Sequence, residues 1–168
     1  MLLKKIEEAL NEQINAEFWS AYLYLSMSLH FEHEGRKGMA NWFRIQFQEE
    51  QAHALALIDY VNARDGKVEL KPIADVPTSW DSPKAAFEAT LEHEKKVTAS
   101  INSLYALAEE NKDFATRQKL NTFVAEQVEE EESVRQIIDD LALVGEDGTG
   151  LLQIDRELGT RTFTAPQL

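Results

Sequence analysis

The sequence lacks cysteine and contains few residues that interrupt helices. Without cysteine, disulfides, thiolate metal sites and rubredoxin-like sites are excluded. Only 4 prolines and 7 glycines occur in 168 residues, so long helices are permitted. Also missing are the apolar block of a signal peptide and any run that could span a membrane. We therefore expect one soluble, cytoplasmic domain over residues 1–168 with no membrane partner.

Positive charge is also scarce, with 17 basic residues against 30 acidic ones and a formal net charge of −13. A field of this sign repels nucleic acid and attracts cations. The charge therefore predicts no nucleic-acid partner. Solubility alone would also explain it, so the charge by itself indicates nothing more specific.

Apolar residues recur at alternating steps of three and four, the pattern of amphipathic helices that share a core. The predicted long helices span about 3–33, 38–65, 83–110 and 114–143, a short one spans about 148–158, and the tail is 159–168. Short turns make the first two and the last two helices antiparallel pairs. Residues 66–80 could reach about 50 Å when extended. The fold class is therefore an all-α four-helix bundle with a long crossover between its second and third helices.

Each apolar seam is interrupted by polar residues near the middle of its helix, where four similar helices share one layer. The interrupting residues are Glu17, Glu50, His53, Glu94, Gln127 and Glu130. Taken singly, a seam histidine is more often a hydrogen-bonded core residue than a metal ligand. Together, four carboxylates carry a formal −4 with no lysine or arginine in the seams. Either most are protonated, or two divalent metal ions neutralise them.

The second helix contains an E-x-x-H unit, formed by Glu50 and His53 on one helical face. This unit occurs in carboxylate-bridged metal sites of helical bundles. Oxygen-rich ligation with one imidazole suits iron(II) or manganese(II) and also admits zinc. We therefore predict a metal site in the middle of the bundle.

Four motifs resemble those of bacterial non-haem ferritins, and the similarity extends over essentially the whole chain. They are NAEFWSAYLYLSM, QEEQAH, LEHEKKV and VAEQVEEEE. The resemblance implies a ferritin-like bundle in which each subunit binds two iron ions. Glu17, Glu50 and His53 would hold the first ion, with Glu50 bridging to the second. The implied roles of the others are these: Glu94 and Glu130 hold the second ion, Gln127 is a weak ligand or hydrogen-bond donor, and Tyr24 donates an electron or hydrogen bond.

A third iron site is predicted beside the paired one. Glu126 and Glu129 form a second acidic row on the fourth helix, and Glu49 precedes Glu50 in the same way. The rows meet if these helix faces converge; a solvated acidic surface is the commoner outcome. The resemblance implies that these three residues and Glu130 bind iron on the inner-surface side of a shell.

Haem is not expected, because Gln51 stands where bacterioferritins have the haem-ligating methionine and because a second E-x-x-H is missing. The resemblance implies a ferroxidase that oxidises iron(II) with O₂ and stores the ferric product inside a hollow homo-oligomer of 24 chains. Two alternatives stay open: a di-iron or di-manganese oxidase or peroxidase without storage, and a non-enzymatic helical interaction module.

Several other residues are assigned to surfaces or contacts. The surface residues are His30, His33, His93, Glu131 and Glu132, with an ion pair between Glu131 and Arg135. Trp19, Trp42 and Trp80 are expected at core edges or subunit contacts. In the short fifth helix, the apolar residues are too few for independent stability and are expected to bury against other subunits. They are Leu151, Leu152, Ile154 and Leu158.

Overall fold

The computed structural model describes residues 2–167 and contains only helices as regular secondary structure in that range. Five helices follow one another, and each predicted helix lies within two residues of an observed one. They are α1 (Lys4–His33), α2 (Lys37–Ala63), α3 (Pro83–Glu110), α4 (Phe114–Val144) and α5 (Gly148–Leu158). The all-α prediction is therefore confirmed. Within residues 2–167, none of the helices combines the length and the hydropathy needed to cross a membrane.

Three of the helices begin at side-chain caps that the sequence encodes. Ser82, Asp113 and Asp147 precede α3, α4 and α5, and each side chain accepts a hydrogen bond from an amide of the first turn. Pro83 follows the first of these caps. The caps satisfy amides that have no partner within the helix, and proline at the first position suits its fixed φ. These residues therefore set where the helices start.

The crossover between α2 and α3 runs along the outside of α1, from its first half towards its end. Hydrogen bonds hold it there, and successive residues of α1 pair with successive residues of the crossover. Asn11 contacts Lys67 and Glu69, Trp19 contacts Asp75, and Ser26 contacts Pro77. The segment thus returns the chain to the end of the bundle where α2 begins. As a result, α3 runs parallel to α2, and the predicted long crossover joins them.

The apolar core is divided into two clusters by the polar layer. One cluster contains residues such as Phe31, Phe43 and Phe87, with the second half of α1. The other contains the first half of α1 and the far end of α2, for example Leu10 and Leu57. The division occurs where the carboxylate-bearing turns lie, so the apolar packing that stabilises the bundle flanks the candidate site on both sides.

Helix α5 packs back on the bundle of its own chain, contacting α2 and α4. Leu151, Ile154 and Leu158 lie against the first core cluster, whereas Leu152 is 50% exposed. The expectation of burial against other subunits is corrected in part for these three, since they already pack on their own bundle, and it stays a prediction for the area that they leave exposed. Their own bundle covers them partly, because Gly38 lets the backbone of α5 approach α2 closely.

We predict that Gly38→Ala displaces α5. A Cβ at position 38 would lie 1.5 Å from the carbonyl oxygen of Asp155, so the helices must move apart. The expected cost is about 1–3 kcal/mol of unfolding free energy. Hydrogen exchange should become faster across residues 148–158. Gly148→Ala is the control, since its Cβ would meet nothing within 4 Å. Equal protection of α5 in both variants would contradict this packing.

Candidate metal centre

Three side chains from α1 and α2 meet in the middle of the bundle. Glu17, Glu50 and His53 are all buried, and one potential ligand atom of each lies within 4.8 Å of the other two. The His53 Nδ1 atom lies 3.9 Å from Oε2 of Glu17 and 3.7 Å from Oε2 of Glu50. The i, i+3 spacing on α2 places the imidazole and the second carboxylate on the same face. The antiparallel α1 supplies the third group.

The two carboxylate oxygens that face the imidazole have no hydrogen-bond partner. Oε2 of Glu17 and Oε2 of Glu50 are both inaccessible to solvent and unpaired. Burying an unpaired polar atom costs free energy, so such atoms are uncommon in native proteins. Two oxygens and one imidazole nitrogen form a donor set that fits divalent iron, manganese or zinc. The residues present therefore fit a bound cation.

Amide groups orient the carboxylates of the layer. Three glutamines each donate a hydrogen bond to one carboxylate oxygen. The pairs are Gln13 with Glu17 (2.7 Å), Gln46 with Glu130 (2.9 Å) and Gln127 with Glu94 (3.0 Å). Sequence reasoning assigned no site role to Gln13 and Gln46. Their position in the sequence could have indicated this role, because each stands one helical turn before a predicted ligand, Glu17 or Glu50, in the same seam.

The α3–α4 side of the layer carries the other predicted residues. Glu94 and Gln127 are buried, and Glu130 is partly exposed. The Tyr24 hydroxyl, fully buried on α1, donates a hydrogen bond to Oε1 of Glu94. Within residues 2–167, Glu94 and Glu130 do not join the compact group around His53. The structure thus gathers one group of three donors, and the second pair of carboxylates lies outside that group.

The electrostatics of the layer favour the protonated carboxyl groups when no cation is bound. Burial raises the pKa of Glu17 well above its ordinary value, and the charge of Glu50 raises it further. Burial also raises the pKa of Glu50. Burial and then the charge of Glu130 raise the pKa of Glu94 to about 7. A bound cation would replace these protons, so metal binding and proton release are coupled.

The residues of the predicted third site line one cavity, called here the acidic cavity. Its carboxylates are Glu49, Glu126, Glu129 and Glu130, and His53, Ser133, Arg161 and residues 164–167 complete its wall. The Nε2 atom of His53 lies 3.2 Å from Oε2 of Glu126, so this ring separates the cavity from the buried group. Burial raises the pKa of Glu49 to about 7, although Arg161 lowers it. Metal binding by these residues stays a prediction.

Two of the three histidines assigned to the surface are covered, and for them that assignment is wrong. His93 is partly buried, lies 2.8 Å from Ser20 Oγ, and burial lowers its pKa to about 4. His30 packs edge-on against Trp80, with ring centroids 5.3 Å apart. His30 is covered because the crossover carries Trp80 over α1. His93 is instead covered by Ser20 and Trp19 of α1 itself. His33 is exposed as predicted.

The remaining assignments have mixed outcomes. The ion pair between Glu131 and Arg135 is present at 3.0 Å, and Glu132 is exposed. Trp19 and Trp80 lie partly buried at the edge of the first core cluster. Trp42 is instead a buried member of that cluster, because its position on α2 faces the aromatic side chains of the bundle.

Three buried carboxylates and an imidazole from the first three long helices, with a buried carboxamide from the fourth, are the side chains expected of the class of helical bundles that bind metal ions. The sequence profile of the family "Ferritin-like domain" matches residues 7–144. The chain therefore belongs to the ferritin family, and the predicted resemblance is confirmed.

Individual relatives cover nearly the whole chain. A bacterial non-heme ferritin of Bacteroides fragilis is 44% identical over 161 residues, covering 96% of this chain and 100% of the relative. One from Staphylococcus aureus is 36% identical over 163 residues, covering 97% and 98%. Among solved structures, an engineered closed form of the Archaeoglobus fulgidus ferritin is 51% identical with a TM-score of 0.96, covering 98% and 100%. A humanized archaeal ferritin is 49% identical with a TM-score of 0.97, covering 98% and 99%.

The raised pKa of Glu94 predicts how the metal-free protein responds to pH. An unfolded glutamate titrates near pH 4.3, whereas the folded group titrates at about 7. Between these values the folded chain holds a proton that the unfolded chain has lost. This contribution to stability is therefore complete below about pH 4 and lost as the pH rises through about 7. In chelator-treated protein, Glu94→Gln should flatten the fall in melting temperature between pH 5 and 8.

The control for this experiment is Glu92→Gln, an exposed neighbour on α3. The hydrogen bond and charge of Lys95 lower the pKa of Glu92, so its titration lies below the tested range. This control should retain the pH dependence of the original chain. An unchanged slope in Glu94→Gln would show that the buried carboxyl group does not titrate as described.

Proposed function

We propose that the protein is an iron-storage ferritin and a ferroxidase, oxidising iron(II) with O₂ in the middle of its bundle. The observation that carries this proposal is the pair of buried, unpartnered oxygens of Glu17 and Glu50 facing Nδ1 of His53. A cation would satisfy both oxygens together. The family to which the chain belongs supports iron as that cation.

Two iron(II) ions bind as substrates in adjacent positions. Glu17, Glu50 and His53 hold the first, and Glu50 bridges to the second. Glu94 and Glu130 hold the second ion. Gln127 orients Glu94, since its amide already donates to that carboxylate at 3.0 Å. Four carboxylates and two divalent ions have no net charge, which removes the cost of burying the unpaired ions.

The paired arrangement suits the reduction of O₂. Each iron(II) gives one electron, so two ions supply the two electrons that take O₂ to the peroxide level. The protein contributes fixed geometry, negative charge that stabilises iron(III), and a site flanked by two apolar clusters. Tyr24 is a hydrogen-bond donor to Glu94 and a candidate electron donor beside the pair.

Glu49, Glu126, Glu129 and Glu130 bind a third iron ion in the acidic cavity. Binding is weaker there than at the pair, because Glu129 and Glu130 retain access to water and the charges are better solvated. Ferric product leaves the pair and accumulates as mineral in an interior space. The whole chain, 1–168, acts as one domain with no haem.

Storage requires an enclosed space, and we assign it to a hollow cytoplasmic homo-oligomer of 24 chains. Large apolar side chains exposed on the single chain support extensive contacts between subunits. They include Tyr22, Leu29, Leu70, Ile73, Phe114 and Leu143. A second solved structure from Archaeoglobus fulgidus, 50% identical to this chain, is described as an open pore ferritin.

The donor set would also suit a di-manganese or di-iron oxidase or peroxidase without storage, because two oxygens and one imidazole bind either metal. Retained iron discriminates between the two functions. After aerobic loading and gel filtration, a storage protein retains many more ions per chain than the three that the sites account for. A non-storing oxidase retains only the ions in its sites.

We predict that Glu50→Ala and His53→Ala each slow the initial oxidation of iron(II) by about 100-fold or more, because each removes a direct ligand. The helical content of Glu50→Ala should not change, since removing a buried carboxylate relieves repulsion in the metal-free bundle. That of His53→Ala should not change either, since both apolar clusters that pack the bundle stay intact. The measurement is an anaerobic iron(II) titration, followed by exposure to O₂ with optical detection of ferric product. His33→Ala, an exposed histidine, is the control. Original rates in both ligand variants would refute the ferroxidase assignment.

A further inference from the structure

The chain after α5 turns back towards the acidic cavity. The side-chain amide of Asn41 on α2 holds this return, donating to the carbonyl oxygens of Leu158 at 3.3 Å and Arg161 at 2.9 Å. Residues 164–167 then continue along the cavity wall. The last segment of the chain is thus attached to α2, which carries two of the predicted ligands of the paired site.

Arg161 is fixed in this cavity from three directions. A guanidinium nitrogen lies 2.7 Å from Oε2 of Glu49. Another donates to the backbone carbonyl of Trp42 at 3.4 Å, and the guanidinium carbon lies 4.7 Å from the centre of the Trp42 ring. Its side chain is 26% exposed and that of Glu49 is 17% exposed, so water screens the ion pair only partly. These contacts hold the guanidinium in one defined position.

The position of Arg161 matters because the rest of the cavity wall is acidic. Four glutamates line it, and Arg161 is the one lysine or arginine among the described residues that do so. A metal ion that binds Glu49 in the cavity would compete with the guanidinium for that carboxylate. The chain therefore supplies its own monovalent cation where a divalent ion would bind.

We infer that Arg161 is a tethered competitor of the third iron ion: it occupies Glu49 until iron(II) displaces it, and so sets the affinity of the acidic cavity. The inference rests on the proposed function. A divalent ion gains more from four carboxylates than a guanidinium does, so displacement is favourable once iron(II) accumulates. At low iron(II), the paired site binds iron while Arg161 still occupies Glu49 in the cavity. The number of ions bound per chain then depends on iron supply through Arg161.

Zn²⁺ tests the competition without redox chemistry. The experiment is calorimetric titration of the metal-free full-length protein with Zn²⁺. In Arg161→Gln, the weakest of the three binding steps should tighten about tenfold, within the range of typical coupling between sites. The two tighter steps should be unchanged. Arg156→Gln, at an exposed position of α5, is the matched control and should leave all three steps unchanged.

Arg161→Lys distinguishes the effect of the positive charge at position 161 from the effect of loosening the C-terminal segment. Lysine keeps the positive charge but loses the planar contacts to Trp42 and Glu49. If charge competition operates, the third step of Arg161→Lys lies closer to the original chain than to Arg161→Gln. Equal tightening in both variants would assign the effect to a loosened tail and overturn the inference, as would an unchanged third step in Arg161→Gln.

Tryptophan fluorescence provides a second measurement. Displacing the guanidinium from the Trp42 ring should change the emission during the third Zn²⁺ step, and Trp42→Phe or Arg161→Gln should abolish that change. Emission that stays constant through the third step in the original chain would overturn the inference. Failure of the proposed function gives a different result, because then the two tighter Zn²⁺ steps would themselves be absent.

Discussion

Four glutamates in the middle of a helical bundle repel one another and are costly to remove from water, and much of this structure is organised around that cost. The two apolar clusters supply the packing that holds the helices together on either side of the polar layer. Between them, glutamine amides satisfy one oxygen of several carboxylates. These amides leave oxygens of Glu17 and Glu50 unsatisfied. The bundle thus tolerates an unfavourable layer that a cation would make favourable.

The layer could be predicted from the sequence because the periodicity of an amphipathic helix shows which of its residues face the core. Glu17, Glu50, His53 and Glu94 replace apolar residues in their seams, and all four are buried. The crossover was also predictable. Its residues show no helical periodicity, which argues against a helix, and its length is sufficient to return along the bundle. Local chemistry also located the starts of α3 and α4, where Ser82 and Asp113 are caps.

Other features depend on contacts between distant parts of the chain, which periodicity does not encode. His93 lies off its seam, yet it is covered on the α1 side, where it meets Ser20 and Trp19. Helix α5 has an apolar face whose partner could have been another subunit. Its partner within the chain depends on the close approach at Gly38. Arg161 reaches Glu49 across 112 positions of sequence, and no local pattern marks that pairing.

His53 connects the buried donor set with the acidic cavity. Its Nδ1 atom faces Glu17 and Glu50, whereas Nε2 lies 3.2 Å from Glu126 in the cavity wall. A carboxylate beside one nitrogen of an imidazole favours a proton on that nitrogen, which leaves the other nitrogen free to act as a ligand. A cation that draws Glu126 into the cavity would weaken that support. If both places bind metal as proposed, the contact between His53 and Glu126 would couple their occupancy.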